Sequence, residues 1–332
     1  MIEVVLVNVK MKKISVLLTT YHEAFVVKGG GEYELLSVAD GLRQYGIIAD
    51  IYSPYARSLE FYDVVLHFSV HGGGLGLLRM LKNHGKPIVL WPNLWAEALS
   101  DTAISMIHEH VQLADCVAFK SRAETSNFTA LINVPPEKRV LCKSVADSYY
   151  TKPSPRSLFQ ELYGVQDYAL WMGIVEPSKN QLSVIGPLKD MGIPLVIVGK
   201  YRDKVYYDVC REAGKDHVIF IDSLPQRSEI VRSAFQNARF YVELSLEPAG
   251  LSALEAGLSG CRVLLSDSDW SREHFLDYAE FVDPLSFVSI MEGVERVLKR
   301  PAFNSKLQGH LSAYCFPSAM VPLVEVLKKV AG

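Results

Sequence analysis

Short apolar, β-branched runs of about five residues alternate with helical patterns along the chain, as expected for a parallel sheet covered on both faces. Ile14 to Leu18 predicts a first strand, Gly31 to Tyr45 a helix, and Ala49 to Tyr52 a second strand. Val64–Phe68, Pro87–Trp91 and Cys116–Phe119 continue the series, separated by helical stretches around Leu75–Leu81 and Ala96–Gln112. A strand over Arg139–Cys142 precedes Tyr150-Thr-Lys-Pro-Ser-Pro-Arg156, whose Pro/Ser content predicts a linker. The alternation then restarts. Strands fit Ala169–Met172, Pro194–Val198, Val218–Ile221, Phe240–Val242 and Arg262–Leu265. Helices fit Gln181–Leu188, Tyr206–Ala213, Ser228–Gln236, Leu251–Leu258 and Phe287–Lys299.

Two such series predict an α/β chain of two doubly wound domains, residues 1–150 and 151–317. A ligand then belongs in the cleft between them, outside the carboxyl ends of the strands. The amphipathic segment Ser318–Val330 predicts a helix that packs back on the first domain. Met11-Lys-Lys-Ile-Ser-Val-Leu-Leu reads as a natural strand start, which leaves residues 1–10 as either an added edge strand or an extension.

Composition narrows the classes. A length of 332 residues with 49% hydrophobic content supports two cores. The net charge of −3 gives no footprint for nucleic acid. Cys116, Cys142, Cys210, Cys261 and Cys315 are odd in number and scattered, the pattern of buried thiols in a reducing cytoplasm. No apolar run reaches the roughly 18 residues of a membrane span. The early acidic residue Glu3 and the lack of a cleavage pattern make the N-terminus a poor signal peptide.

The richest stretch runs from Val242 to Gly260. A strand leads into Glu247 and Glu255, eight positions apart, with Pro248 and Gly250 marking a turn before a helix at Leu251. Gly250 lets a ligand approach the backbone, and the first helical amides, with the positive dipole end behind them, suit a phosphate. Both carboxylates border one pocket, where they would accept hydrogen bonds from sugar hydroxyls. Alone, that spacing equally describes a surface glutamate followed by a solvated helical one.

A second motif, Gly173-Ile-Val-Glu-Pro-Ser-Lys179-Asn-Gln181, follows a strand and puts Lys179 at the opening of a helix. A cation there opposes the helix dipole, so it makes sense with an anion nearby. Ile193-Pro-Leu-Val-Ile-Val-Gly199-Lys200 ends a further strand at the cleft edge; Lys200 and Arg202 are either site cations or surface ones. The third motif is Lys28-Gly29-Gly30-Gly31-Glu32, either phosphate-binding amides or a flexible loop before a helix.

In order and spacing these three motifs resemble the GT-B-fold glycosyltransferases, specifically the retaining family-4 enzymes (glycosyl transferases group 1). The resemblance covers nearly the whole chain and is strongest from about Trp171 to Pro284. It implies two Rossmann-like domains, with the donor on the second and the acceptor on the first. It assigns the ribose hydroxyls to Glu255 and the donor sugar's reacting end to Glu247. The amides of Gly250 and Leu251 and the Lys179 side chain would hold the diphosphate, giving Lys179 and Glu247 the catalytic roles. Gly173, Gly199, Lys200, Gly30 and Gly31 would complete the donor site, with the base near Gly199. No metal and no cofactor are implied, so amides and cations must neutralise the leaving diphosphate.

The chain departs from the family in two places. The arginine usual after the glycine of the second motif is Ile174, and the alternative position holds Ser178, so Lys200 or Arg202 would have to substitute. The histidine usual after the fourth strand is absent from Leu90-Trp91-Pro92-Asn93-Leu94-Trp95. Asn93 could bond a sugar hydroxyl there, and Trp95 could stack on a sugar face or serve as core; Trp91 reads as core. His71, beside three glycines, could line the acceptor side. His67 reads as a satisfied, half-buried residue, and His108 and His110 as structural or surface residues. No histidine pair has a third ligand at metal-binding spacing.

The expectation is a cytoplasmic enzyme that moves a sugar from a nucleotide-diphosphate sugar to a glycan, lipid-linked or small-molecule acceptor, as in polysaccharide biosynthesis. Contact with the membrane surface is left open, since no polybasic amphipathic helix supports it. Two rivals share the fold: a non-catalytic sugar-nucleotide-binding subunit, motivated by the missing Arg and His, and a sugar-nucleotide epimerase.

Overall fold

The computed structural model describes residues 14–26, 30–96, 99–155 and 158–332. Residues 1–10, Lys28, Gly29 and Arg156 lie outside the described residues.

The first unit runs β1 (Ser15–Thr19), α1 (Gly30–Gln44), β2 (Ile48–Ile51), β3 (Val64–Phe68) and α2 (Leu75–Asn83). It continues with β4 (Ile88–Trp91), α3 (Asp101–Leu113), β5 (Cys116–Phe119), α4 (Arg122–Leu131) and β6 (Arg139–Leu141). The second unit opens with α5 (Leu158–Tyr163), β7 (Ala169–Met172), α6 (Leu182–Asp190), β8 (Leu195–Val198), α7 (Lys204–Ala213) and β9 (Val218–Ile221). Then come α8 (Glu229–Asn237), β10 (Phe240–Glu243), α9 (Leu251–Leu258), β11 (Val263–Ser266), α10 (Asp269–Phe275) and β12 (Glu280–Val282). Helices α11 (Phe287–Lys299), α12 (Ser305–Leu311) and α13 (Val321–Ala331) close the chain.

The strands form two six-stranded sheets, ordered β2-β1-β3-β4-β5-β6 and β12-β11-β10-β7-β8-β9. Every pairing is parallel. Counted within its own unit, the second order is 3-2-1-4-5-6, the dinucleotide-binding arrangement; the first is of the 2-1-3-4-5 type. Each order reverses at one gap, between β1 and β3 and between β7 and β10. Strand ends splay apart there, and ligands bind.

Alternate residues of each strand feed apolar clusters on the two sheet faces. In β3, Val64, Leu66 and Phe68 join the cluster with α1 and α13, while Val65 joins the one with α2 and α3. In β10, Phe240 and Val242 face one cluster and Tyr241 the other, so Glu243 emerges on the Tyr241 side at the strand's end. Leu323, Val324 and Leu327 of α13 are buried in the same cluster as β1 and β3 of the first sheet. Tyr150, at the head of the Pro/Ser-rich segment, is not in a free linker but buried in a cluster of the second unit.

The five cysteines are free and buried. Among the described residues, no helix is long and apolar enough to cross a membrane.

Candidate active site

The two glycines that end the neighbouring strands β7 and β8, Gly173 and Gly199, are structural. Gly199 has φ +152°, and a Cβ on it would lie 2.0 Å from the Gly173 carbonyl oxygen. Their amides are spent within the sheet: Gly173 donates to Val198 and Gly199 to Ile221. These glycines let the strand ends close up rather than offer donors to a ligand.

Lys179 lies in a 3₁₀ turn, Pro177–Lys179, rather than at the opening of α6. Asn180 then takes a left-handed conformation, φ +58°, which breaks the path and delays the helix to Leu182. The Asn180 amide donates to Leu244 and Pro284 carbonyls, both at 3.1 Å, and pins this turn against the end of β10. The Lys179 ammonium therefore faces the stretch between β10 and α9. It meets Glu247 Oε1 at 2.8 Å, and the Ser178 hydroxyl donates to the same oxygen at 3.2 Å. Burial works against the Lys179 charge, but Glu243, Glu247 and Glu176 outweigh it, and its pKa stands above the ordinary lysine value.

Glu243 escaped the motif reading. It is buried, and its carboxylate accepts from the Tyr241 hydroxyl at 2.7 Å, the Ser245 hydroxyl at 3.2 Å and the Gly250 amide at 3.3 Å. Thus the Gly250 amide, expected to hold phosphate, is taken by Glu243. Gly250 instead serves as the N-cap of α9, with open space where a Cβ would stand. The next amide, Leu251, begins the helix and remains the natural anion donor there.

Glu255 sits in the second turn of α9, a sliver of it still exposed. Burial, and then the charge of Asp147, push its pKa up to about 8. Lys200 is exposed at the rim. Arg202 pairs with Glu176 at 2.8 Å. Ile174 contributes only a carbonyl, which accepts from the Gln181 amide at 2.8 Å.

The β1–β3 gap of the first sheet opens into a cavity of about 190 Å³ lined by Tyr21, Gly30, Gly31, Glu32, His71 and Asn93 among others. Arg202 reaches it from the second unit, so this cavity belongs to the cleft between the units. Gly30 and Gly31 are the first residues of α1, not a preceding loop. Tyr21 donates to Glu32, and burial followed by Glu32 drives the tyrosine pKa up to about 12. His71 is exposed, its ring 5.0 Å from that of Tyr21. Trp95 is partly buried and packs against an apolar cluster of the second unit. Trp91 is wholly buried and stacks on Phe68 at 5.6 Å.

His67 is not half-buried and satisfied. It is fully buried; Thr19 meets Nδ1 at 2.8 Å, while Nε2 has no partner among the described residues. The Gly72–Gly74 turn packs over the ring so closely that a Cβ on Gly74 would come within 2.8 Å of Nε2. Burial, reinforced by His110, drives the His67 pKa down to about 3, so it stays neutral. His110 is also buried, its Nδ1 2.8 Å from the Met106 carbonyl. Among the described residues, no three His, Cys, Asp or Glu side chains cluster so as to hold a metal.

No family model matches the sequence, and no curated protein matches it. Solved structures do match its shape. Sucrose-phosphate synthase from Thermosynechococcus elongatus superimposes with a TM-score of 0.78 at 14% identity, over 96% of this chain and 99% of that one. Anabaena HepE, crystallised with UDP and glucose, gives 0.74 at 15% identity, over 96% and 98%. A glycosyltransferase from Rickettsia africae gives 0.73 at 11% identity, over 96% and 98%. The chain therefore has the GT-B fold of glycosyltransferases, two Rossmann-like units with their switch points at the cleft.

Proposed function

We propose that this chain is a glycosyltransferase that takes a sugar from a nucleoside-diphosphate sugar bound on the second unit and passes it to an acceptor held on the first. The observation that carries this reading is the Lys179–Glu247 pair, 2.8 Å apart, beside the N-cap of α9 at the switch point of a 3-2-1-4-5-6 sheet. A lysine, an unpaired helical amide and a dipole end at one place are what a diphosphate needs. Glu247 holds the lysine at 2.8 Å. When the diphosphate arrives as the stronger counter-ion, Glu247 is released to accept hydrogen bonds from the donor sugar. Glu255, further along the same helix, is the group for the ribose hydroxyls.

Chemistry follows from this charge layout. As the bond between sugar and diphosphate breaks, negative charge gathers on the leaving oxygen. Lys179, once exchanged from Glu247 to the diphosphate, and the Leu251 amide would stabilise that charge. Closure of the two units would exclude water and sharpen that effect. We propose that these groups replace a metal, and that transfer proceeds with retention, as the Glu247–Glu255 motif's resemblance suggests. Retained activity in a chelator and an unchanged anomeric configuration in the product test the two points.

HepE has been crystallised with UDP-glucose, which makes uridine donors the first to try. The decisive experiment is thermal stabilisation by a panel of nucleoside diphosphates and their sugars without added metal. One base should raise the melting temperature by several degrees; saturation at about 100 times Kd is worth about 2.7 kcal/mol. No response to any of them would overturn the reading. Ile174, in place of the expected arginine, favours one alternative, a binding subunit without turnover. Such a protein would show the thermal shift but release no sugar from the donor, with or without acceptors.

A further inference from the structure

The cavity at the β1–β3 gap has a larger neighbour. A second cavity, of about 510 Å³, opens beyond the carboxyl ends of β1 and β2, and Thr20 and Tyr21 line both. The two differ in character. The first is bordered by Glu32, Ser69, His71, Asn93 and Arg202 among others. The second is walled by Leu18, Phe25, Ile51, Tyr52, Pro54 and Leu77 among others.

These walls are held by the backbone. The Tyr52 amide donates to the Leu18 carbonyl at 2.8 Å, which carries the β1–β2 ladder one residue past β2. On the other side Phe25 is left-handed, φ +72°, a costly conformation for a bulky residue, and it packs against the first-unit cluster. His22 Nδ1 lies 2.9 Å from the Gly73 carbonyl oxygen and fastens the same loop to the Gly72–Gly74 turn.

Most polar groups around the second cavity are already engaged. The Thr19 hydroxyl meets His67 Nδ1, His22 meets Gly73, and the Ser53 hydroxyl accepts from the Tyr55 amide at 3.3 Å. The Tyr21 hydroxyl is turned to Glu32, on the side of the first cavity. A saccharide would bury a ring of hydroxyls here against few free partners, and an unmatched buried hydroxyl is costly. A flat apolar body meets the opposite case. Aromatic and aliphatic walls surround it, the volume is within the roughly 300–1,000 Å³ of small-molecule pockets, and the half-exposed Tyr52 ring at the mouth offers a face for stacking.

We propose that the acceptor is a hydroxylated aromatic compound, whose ring system lies between Phe25, Tyr52 and Leu77 and whose hydroxyl reaches past Thr20 and Tyr21 into the polar cavity at the cleft. The inference rests on the proposed glycosyl transfer and names its acceptor class. The acceptor oxygen bonds to the anomeric carbon as the bond from that carbon to the diphosphate breaks. The diphosphate keeps the electron pair and takes up the hydroxyl proton.

The test uses naphthol and methylumbelliferone as aromatic probes, cellobiose as a saccharide and farnesol as an isoprenoid alcohol. Binding of methylumbelliferone is followed by fluorescence anisotropy in the presence of the stabilising nucleoside diphosphate, and transfer from the sugar nucleotide by the mass of the product. Wild type should bind the probe in the sub-millimolar range and glycosylate both phenols in preference to cellobiose and farnesol. Ala24→Trp, which fills the cavity, should weaken the probe at least about tenfold, and Tyr52→Ser about fivefold. Tyr52→Phe should bind it as wild type does, and all three should hold the diphosphate within about twofold of wild type. Tyr52 is 55% exposed, so its variants keep the test open should Ala24→Trp fail to fold. The proposal is overturned by transfer to cellobiose or farnesol but to neither phenol, or by probe affinity that Ala24→Trp and Tyr52→Ser leave unchanged. If wild type binds no nucleotide, the donor reading falls and this inference with it. If it binds the sugar nucleotide but neither phenol, only the inference falls.

Discussion

With its pKa pushed up to about 8 by burial and Asp147, Glu255 keeps its proton at neutral pH. The unfolded chain releases that proton near the ordinary glutamate value of 4.5, whereas the folded protein releases it near 8. Between those values the folded state binds more protons, so stability falls as pH rises and the full cost is present above about 8. Glu255→Gln should abolish this dependence, with melting curves that converge with wild type below pH 4.5 and a variant more stable by up to about 5 kcal/mol at pH 8.5. A variant that tracks wild type across the range would show that the carboxyl is not strained by burial. Glu255, Glu247 and Lys179 were readable from the chain because each stands in a local motif. Glu243 was not. Period-two alternation puts it beside Tyr241, but nothing local shows that the strand end will curl back to give it the Gly250 amide.

The glycines sort by what surrounds them within their elements. Gly199 ends β8 against the Gly173 carbonyl, and Gly250 caps α9 in open space. Gly199→Ala should cost about 2 kcal/mol or more in urea unfolding, since backbone must shift to admit the methyl group. Gly250→Ala should leave stability within about 0.5 kcal/mol and reduce only ligand affinity, because its φ of −84° suits any residue. If the two alanines cost the same stability, this division of roles is wrong. Strands with unbroken or nearly unbroken apolar runs were legible to the residue: Val64–Phe68, Cys116–Phe119, Ala169–Met172 and Val218–Ile221. So were helices Leu251–Leu258 and Phe287–Lys299. The missed elements are short or polar. β12 has three residues, and α5, α10 and α12 have six or seven, too few for a period to show. Helix α4 carries a signal that could have found it: Ser121-Arg-Ala-Glu124 is a capping-box pattern, and the Ser121 hydroxyl does accept from the Glu124 amide at 2.9 Å.

At the level of the molecule, the alternation of strands and helices announced two parallel sheets, but not the order of their strands. Order depends on which way each crossover turns, and the sequence leaves little trace of that. Yet order decides where the sites lie, by setting the switch points at β1–β3 and β7–β10. The units also touch away from the cleft. The Glu273 carboxylate of α10 accepts from the Arg122 and Ala123 amides, both at 2.9 Å, and so caps α4 of the first unit. The two switch points thus share a cleft with a fixed contact at its side, a layout suited to closure about a hinge.

The proposed role of Lys179 is to receive the diphosphate of a nucleotide donor. Its most direct test is titration of the stabilising nucleoside diphosphate and its parent nucleoside into wild type and Lys179→Ala. The substitution should weaken the diphosphate by roughly 10- to 100-fold and change the nucleoside by less than about twofold, since only the former carries charge for the lysine to meet. Equal loss for both ligands, or no loss for either, would make Lys179 a structural partner of Glu247 and rule out its role at the diphosphate.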